Sequence, residues 1–386
     1  MFRNGTCWLT LFLIAGCLAL APLSLAPSAA GKRQGETRRA LARVTAVDNS
    51  HVKVNLIIKT EEQFLSVRLL SGPHWGGNYD AVNFLSGKME IDEFYAPGQL
   101  VFVDYDVRDG APADVRPRGV FRLHWQALLV VLFAVLLLAL AGWTGFNAML
   151  SFVFTALLLW KVFFPLLLRG WPPLATGLAL TALLTAVITL AIGGLNRRGA
   201  AAFAGAMLGV LLTCVLAVVF SRAFCLHGAV RPFAETLLYA GHYGLDLTRI
   251  FIASVFIACS GAIMDLAMDV AAAMDEIYKL HPGISRLEHV RAGLRVGRAV
   301  IGTMTTTLLL AYSASHITMF MLFISRGMPL ATILNSPMVA AEVLNTLVGS
   351  FGLIAAAPFT ALVAGVIYHR AQAGAVPPIP EASAPT

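Results

Sequence analysis

Residues 123–141 read LHWQALLVVLFAVLLLALA, a run with one histidine near its start and no Asp, Glu, Lys or Arg. An α-helix needs about 20 such residues to cross the hydrocarbon core of a bilayer. Six more predominantly apolar runs follow, at 146–168, 174–194, 200–220, 250–273, 300–324 and 343–368, of which the first holds Lys161 and the fourth Asp265 and Asp269. The connectors between them carry Gly142-Trp143, Arg169-Gly170-Trp171-Pro172-Pro173 and Asn196-Arg197-Arg198-Gly199, residues that break an apolar helical pattern. Over 386 residues the chain is 58% hydrophobic and 13% charged, with mean hydropathy +0.75. An ordinary soluble protein carries about a quarter charged residues. This excludes a water-soluble enzyme of the usual type and defines a membrane protein.

Upstream, an apolar run from Cys7 to about Ala26 reads as an uncleaved anchor or a signal peptide. Ile14-Ala15-Gly16-Cys17 also has the look of a lipobox, but the apolar run continues past Cys17. Residues 31–120 form the one sustained polar stretch. Strands are predicted at Ala42–Val47, His51–Lys59, Phe64–Leu70 and Leu100–Val107, where apolar and polar residues alternate near a period of two. Asp48-Asn49-Ser50, Ser71-Gly72-Pro73 and Pro97-Gly98 separate them as turns. A small barrel or sandwich of the OB or SH3-like kind is expected.

The predicted fold is an all-α polytopic membrane bundle of about eight transmembrane helices, seven if the N-terminal segment is cleaved, with a small extracytoplasmic β-barrel-like domain. The expected domains are an anchor or signal peptide at 1–30, the β-rich domain at 31–120, the transmembrane domain at 121–370 and a disordered Pro/Ala-rich tail at 371–386. With the N-terminus inside, Arg197, Arg198, Lys279, Arg286, Arg291, Arg295, Arg298 and Arg370 fall on the cytoplasmic side, as the excess of basic residues in short inner loops requires. The net charge of +7 then belongs to loops and lipid headgroups rather than to nucleic acid.

The segment Ser260–Glu276, SGAIMDLAMDVAAAMDE, holds the candidate chemistry. A helix entering near Ile250 carries Asp265 about 22 Å inward, into the hydrocarbon core. Asp269 follows at i+4 on the same face, and Ser254, Ala258, Gly261, Ala272 and Glu276 continue that stripe. A carboxylate at that depth costs a few kcal/mol and must face protein or water. It exchanges a proton or binds a cation, or it is a hydrogen-bonding group in helix packing. In the next span, Thr305 and Thr306 offer hydroxyls that line a cation path or pack between helices. Asn345 lies on a stripe with Glu342, Gly349, Gly352 and Ala356 that lets a neighbouring helix approach closely. Lys161, alone in its span, either snorkels to the interface or pairs with Asp265. Between the spans, 275–298 reads as an amphipathic helix pair broken at Pro282-Gly283. The five cysteines lack metal-ligand spacing, and no nucleophile–base–orienter set can be assembled. No enzyme activity, metal or cofactor is expected.

These residues carry a family resemblance. Gly261-Ala262-Ile263-Met264-Asp265, Met274-Asp275-Glu276, Gly297-Arg298, Ile301-Gly302-Thr303-Met304, Thr307-Leu308 and Leu310-Ala311-Tyr312 resemble the YibE/F family of bacterial membrane proteins. Ser71-Gly72, Gly76, Gly77, Asn83, Tyr95 and Gly98 agree with it, whereas Gln99 stands where an acidic residue is expected. The resemblance spans about residues 40–370 and implies a multi-pass protein of the bacterial inner membrane, without an established activity. The acidic helix and the Arg298–Thr307 segment are also similar, over a shorter stretch, to the SecD/SecF and RND group, which uses proton flow. The count of eight spans departs from that group's six.

The functional expectation is a proton- or cation-coupled transporter or permease, with Asp265, Asp269, Thr305, Thr306 and Asn345 as coupling candidates. The alternative is a non-transporting membrane-assembly or interaction scaffold. The expected partners are the lipid bilayer, an unidentified ion or small-molecule substrate, and an envelope protein meeting residues 31–120; nucleic acid is not expected.

Overall fold

The structure is a computed structural model and describes residues 4–22, 37–108, 110–194 and 196–373. Residues 23–36 and 374–386, including most of the expected disordered tail, lie outside the described residues. The chain divides into two compact units, one within Ser28–Ala139 and the other made of Met1–Pro27 with Leu140–Thr386.

In the first unit, six strands follow in order: β1 (Thr37–Asp48), β2 (Lys53–Asn55), β3 (Ile58–Leu69), β4 (Asn78–Ser86), β5 (Leu100–Arg108) and β6 (Ala111–Val120). Their order is β1-β5-β6-β4-β3-β2, and a further β1–β3 pairing closes five of them into a barrel. All neighbours are antiparallel except β4 and β6, which pair in parallel at Ala81 and Val115. This Greek-key closure is that of an OB-type barrel. Alternate residues fill it: Ala40, Ala42 and Val44; Leu65, Val67 and Leu69; Val101, Val103 and Tyr105.

Two strands lie where none is predicted, β4 (Asn78–Ser86) and β6 (Ala111–Val120), and a third prediction is split. In β6, Pro112, Pro117 and Gly119 sit in a run that reads as loop, and the strand tolerates them because its pairing with β5 is interrupted by register shifts. The expected single strand His51–Lys59 is instead a hairpin, with Asn55 paired to Ile58 across Leu56-Ile57. Leu56 takes φ 56° and is 98% exposed, so the apolar alternation there does not report burial.

Gln63 lies wholly inside the barrel and pins the loop that follows β4. Its Nε2 donates to Asn49 Oδ1 and to the Tyr95 carbonyl, both at 2.9 Å, while its Oε1 accepts from Asn83 Nδ2 and Tyr95 N, both at 3.1 Å. All its amide hydrogens and lone pairs are used, the condition under which a buried amide is tolerated.

The helices are α1 (Asn4–Leu20), α2 (Leu123–Leu158), α3 (Phe164–Leu168), α4 (Pro173–Gly193), α5 (Arg197–Ala223), α6 (Ala234–Tyr239), α7 (Leu247–Leu280), α8 (Arg286–Ala314), α9 (Ile317–Ser325), α10 (Leu330–Leu334) and α11 (Pro337–Ala373). A π-helical turn, Leu159–Phe163, joins α2 to α3. Local chemistry starts them: Asn196 caps α5, Asp246 caps α7, and Ser285 with Glu288 forms a capping box on α8. The expected amphipathic pair 275–298 is therefore the end of α7 and the start of α8, not a separate element.

Among the described residues five helical stretches are long and apolar enough to cross a membrane, six if the bent pair α8–α9 counts as one span. The expectation was eight. The difference has three sources. The α1 helix is only 17 residues long. The α8–α9 pair bends by 63°. Leu123–Leu168 is one 46-residue stretch, interrupted at Gly142 where the backbone turns non-helical with φ 52° and ψ −126°.

In the second unit α7 is the hub, packed by α4, α5, α8 and α11. Small residues make the close approach: Ala201, Ala202 and Ala206 of α5 and Ala356, Ala357 and Ala361 of α11 are fully or almost fully buried. A Cβ at Gly352 would overlap Thr213 Oγ1 of α5 and stand 3.0 Å from Ile263 Cδ1 of α7. Without a hydrophobic driving force between helices in lipid, such backbone proximity supplies the packing.

Candidate functional site

Asp265 sits near the middle of the 34-residue α7. Its helix has a packed side and an open side. Phe251, Phe256, Cys259, Ile263, Val270 and Met274 are buried against neighbouring helices. Ser254, Ala258, Gly261, Asp265, Asp269 and Glu276 are exposed. A Cβ at Gly261 would meet nothing within 4 Å. The stripe inferred from the spacing is thus one face, left uncovered by the chain itself, and the aromatic side is the packed one. Asp265 and Asp269 form no ion pair or hydrogen bond with any described residue; the pairing of Lys161 with Asp265 is not formed. Asp275, by contrast, is structural: Tyr368 Oη of α11 donates to it at 2.7 Å and Lys279 Nζ lies at 2.6 Å.

The threonines of α8 divide. Thr303, Thr306 and Thr307 donate to backbone carbonyls three or four residues back, at 2.9, 3.0 and 2.9 Å, and so satisfy themselves within the helix. Thr305 is the exception, with a buried hydroxyl that has no partner. Asn345 does not join Asp265. It lines a cavity of 370 Å³ with Arg231, Ile250, Phe251, Ser254 and Ala258, beside the first turns of α7.

That end of the bundle holds an ionic cluster which the sequence did not reveal. Glu342, 9% exposed, accepts a hydrogen bond from Arg231 Nη1 and lies 3.2 Å from His316 Nε2. Arg231 precedes α6, His316 occupies the α8–α9 bend and Glu342 is in the second turn of α11, so three separate segments are tied at one carboxylate. The guanidinium also stacks on Phe251, 5.1 Å from the ring centroid. At the opposite end of α7, His289 is fully buried, bonds the Met274 carbonyl at 2.9 Å, and packs with Tyr278, Tyr368 and His369.

The barrel has its own charged cleft. Asp104 is buried between Arg39 Nε at 2.9 Å and Arg118 Nε at 2.7 Å, and Glu93 accepts from Arg122 Nη1 and Val120 N at 2.7 Å each. Burial pushes the Asp104 carboxyl up, but hydrogen bonds and charge from Arg39 and Arg118 outweigh it and hold its pKa below the ordinary value. Family-pattern residues of this domain serve its turns: Gly72, Gly76 and Gly98 take positive φ, and Ser71 Oγ accepts from Leu41 N at 2.8 Å; Gln99, which departs from the pattern, accepts at Oε1 from Ala96 N at 3.1 Å.

The apolar helices, packed through small residues, define the class: a membrane protein. The chain belongs to the family described as YibE/F-like protein, whose match covers residues 129–370. No curated protein and no solved structure matches it.

Proposed function

We propose that the chain is a multi-pass protein of the bacterial inner membrane that transports an ion or small molecule coupled to a proton or cation, with Asp265 as the exchanging carboxyl. One observation carries the reading: a carboxylate without a partner stands at mid-helix on an open face of small residues. In hydrocarbon such a group is costly, and helices that carry one use it on a water-filled path by default. Asp269, one turn on, tunes it, and the unpartnered Thr305 hydroxyl is the α8 candidate for a ligand or relay.

The topology that suits this reading has eight crossings. Leu123–Leu168 would be about 69 Å long as one helix, more than twice the roughly 30 Å core, so the Gly142 break divides it into two. With α1 and the α8–α9 pair, the N-terminus and the basic ends of α5, α7, α8 and α11 are cytoplasmic. The barrel and the Glu342 cluster are then extracytoplasmic.

The test is ion entry into liposomes carrying the purified protein, under an imposed potential. Proton or sodium flux is expected from wild type and lost in Asp265→Asn. An Asn variant as active as wild type excludes the role. The charged barrel cleft favours a second reading, in which residues 31–120 dock an envelope partner. That reading requires function to survive Asp265→Asn and to fail when the barrel is removed.

A further inference from the structure

The barrel carries its exposed apolar residues at one end. β4 and β6 run parallel, paired at Ala81 and Val115, so Ser86 and Val120 finish at the same end. Thr60 pairs with Ser86, and the β2–β3 hairpin runs on past it to the turn Leu56-Ile57. Among the described residues of the barrel, every exposed large hydrophobic except Trp75 falls within 54–58 or 84–94. Met89 and Ile91 are among them, in the loop that follows β4. Trp75 lies in the loop between β3 and β4, at the opposite end. Turn chemistry does not explain the apolar tip. In a two-residue hairpin loop whose first central residue has positive φ, glycine is the ordinary choice. Leu56 holds that place at φ 56°, a conformation costly for a residue with a Cβ, and a β-branched residue follows it. Burial does not explain it either, since both side chains project into the surroundings. An apolar pair kept in a strained turn and left unpacked points to a contact outside the chain.

The path of the chain says what that contact is. β6 ends at Val120 and α2 starts at Leu123, so the chain enters the membrane from the end of the barrel that carries the hairpin. Segment 123–139 belongs to the same compact unit as the barrel. The junction is braced. Phe121 N donates to the Leu100 carbonyl at 2.7 Å, and the Phe121 ring meets Phe102 edge-on at 5.2 Å and stacks on His124 at 5.4 Å. Arg122 pairs with Glu93 at 2.7 Å. Trp125, exposed in the first turn of α2, has the amphipathic ring that sits at headgroup level. Lys53 and Lys59 stand three and two residues behind the turn. That is about 7–10 Å of extended strand, which matches the roughly 5–10 Å to which interfacial segments sink into the headgroup–acyl boundary.

We propose that the Leu56-Ile57 turn, with Met89 and Ile91, is seated in the interface of the bilayer that α2 crosses, with Lys53 and Lys59 among the headgroups. The partner is the lipid surface itself. This seat holds the barrel to the membrane at a point separate from its covalent link to α2. It requires neither Asp265 nor transport.

The test uses the full chain, with its native cysteines replaced, in nanodiscs of phosphatidylcholine and phosphatidylglycerol. An environment-sensitive nitrobenzoxadiazole dye is attached at Ile57→Cys or at Trp75→Cys. The two positions are equally exposed, 74% and 75%, at opposite ends of the barrel. The dye at 57 is expected to emit to the blue, to be quenched by lipid carrying a nitroxide near its headgroup, and to be shielded from aqueous iodide. The dye at 75 should show the reverse. Leu56→Asp in the chain labelled at 57 keeps a residue that tolerates positive φ, puts a charge at the tip, and should remove most of the lipid quenching. Iodide that reaches both dyes alike overturns the proposal, as does equal lipid quenching at both. Shielding at 57 without lipid quenching means that another protein or a second copy covers the tip, and it also overturns the proposal. So does lipid quenching undiminished in Leu56→Asp, which would show that the dye rather than the hairpin seeks the lipid.

Discussion

Removing the Glu342 carboxylate tests how far the Arg231–Glu342–His316 cluster holds the loop before α6, the α8–α9 bend and α11 together. Glu342→Gln keeps the shape and removes the charge. Deleting one partner of a fully buried pair costs about 3–5 kcal/mol, because the other charge is stranded. Arg231 retains 29% of its side-chain exposure and His316 25%, so solvent recovers part of that penalty. The expected loss is about 2–3 kcal/mol on this scale. It would be read as the shift in equilibrium unfolding in mixed detergent micelles. A cycle with Arg231→Gln separates pair energy from general disruption, and should return a coupling of about 1–2 kcal/mol. If the two substitutions simply add, to within about 0.5 kcal/mol, the cluster does not act as a unit and the reasoning fails.

Three other outcomes follow from packing and charge. Gly352→Ala should cost about 1–3 kcal/mol by overpacking α11 against α5, lowering the yield of monodisperse protein; adding Thr213→Ala, which removes the overlapped hydroxyl, should restore part of it. Gln63→Ala should cost about 2–4 kcal/mol through four lost hydrogen bonds, and hydrogen exchange should report faster opening of residues 87–99 than of the other barrel loops. Asp104→Asn should destabilise the barrel by about 1–2 kcal/mol, a value reduced because both arginines are half exposed or more. Since the Asp104 pKa is lowered by folding, its contribution is complete above the ordinary carboxylate value of about 3.9 and is lost as pH falls through the lower folded value. Acid unfolding of the barrel should therefore be shallower in the Asn variant.

The parts that were readable in the sequence are those set by local period. Asp265 and Asp269 fall on one face because i and i+4 do so on any helix, and the β1, β3 and β5 cores follow from alternation. What could not be read depends on partners distant in the chain. No local pattern near Arg231, His316 or Glu342 tells which residues, up to 111 apart, meet. The single acid in an apolar stretch, Glu342, was the one available hint. The side of α7 that packs was also hidden, since large aromatics suit lipid and protein alike. The hairpin at Leu56-Ile57 escaped because its apolar residues are on the surface, and β6 because prolines and charges mask a strand paired through bulges.

If Asp265 exchanges an ion, its face of α7 is reached by water within the membrane. The direct measurement is labelling of Asp265→Cys, in a chain whose native cysteines are replaced, by a charged methanethiosulfonate in intact vesicles, against Leu310→Cys, at an exposed apolar position of α8. Rapid modification is expected at 265 and none at 310. Protection at 265 equal to that at 310 would mean that the carboxylate stripe is sealed by lipid or protein, and would contradict a path along it.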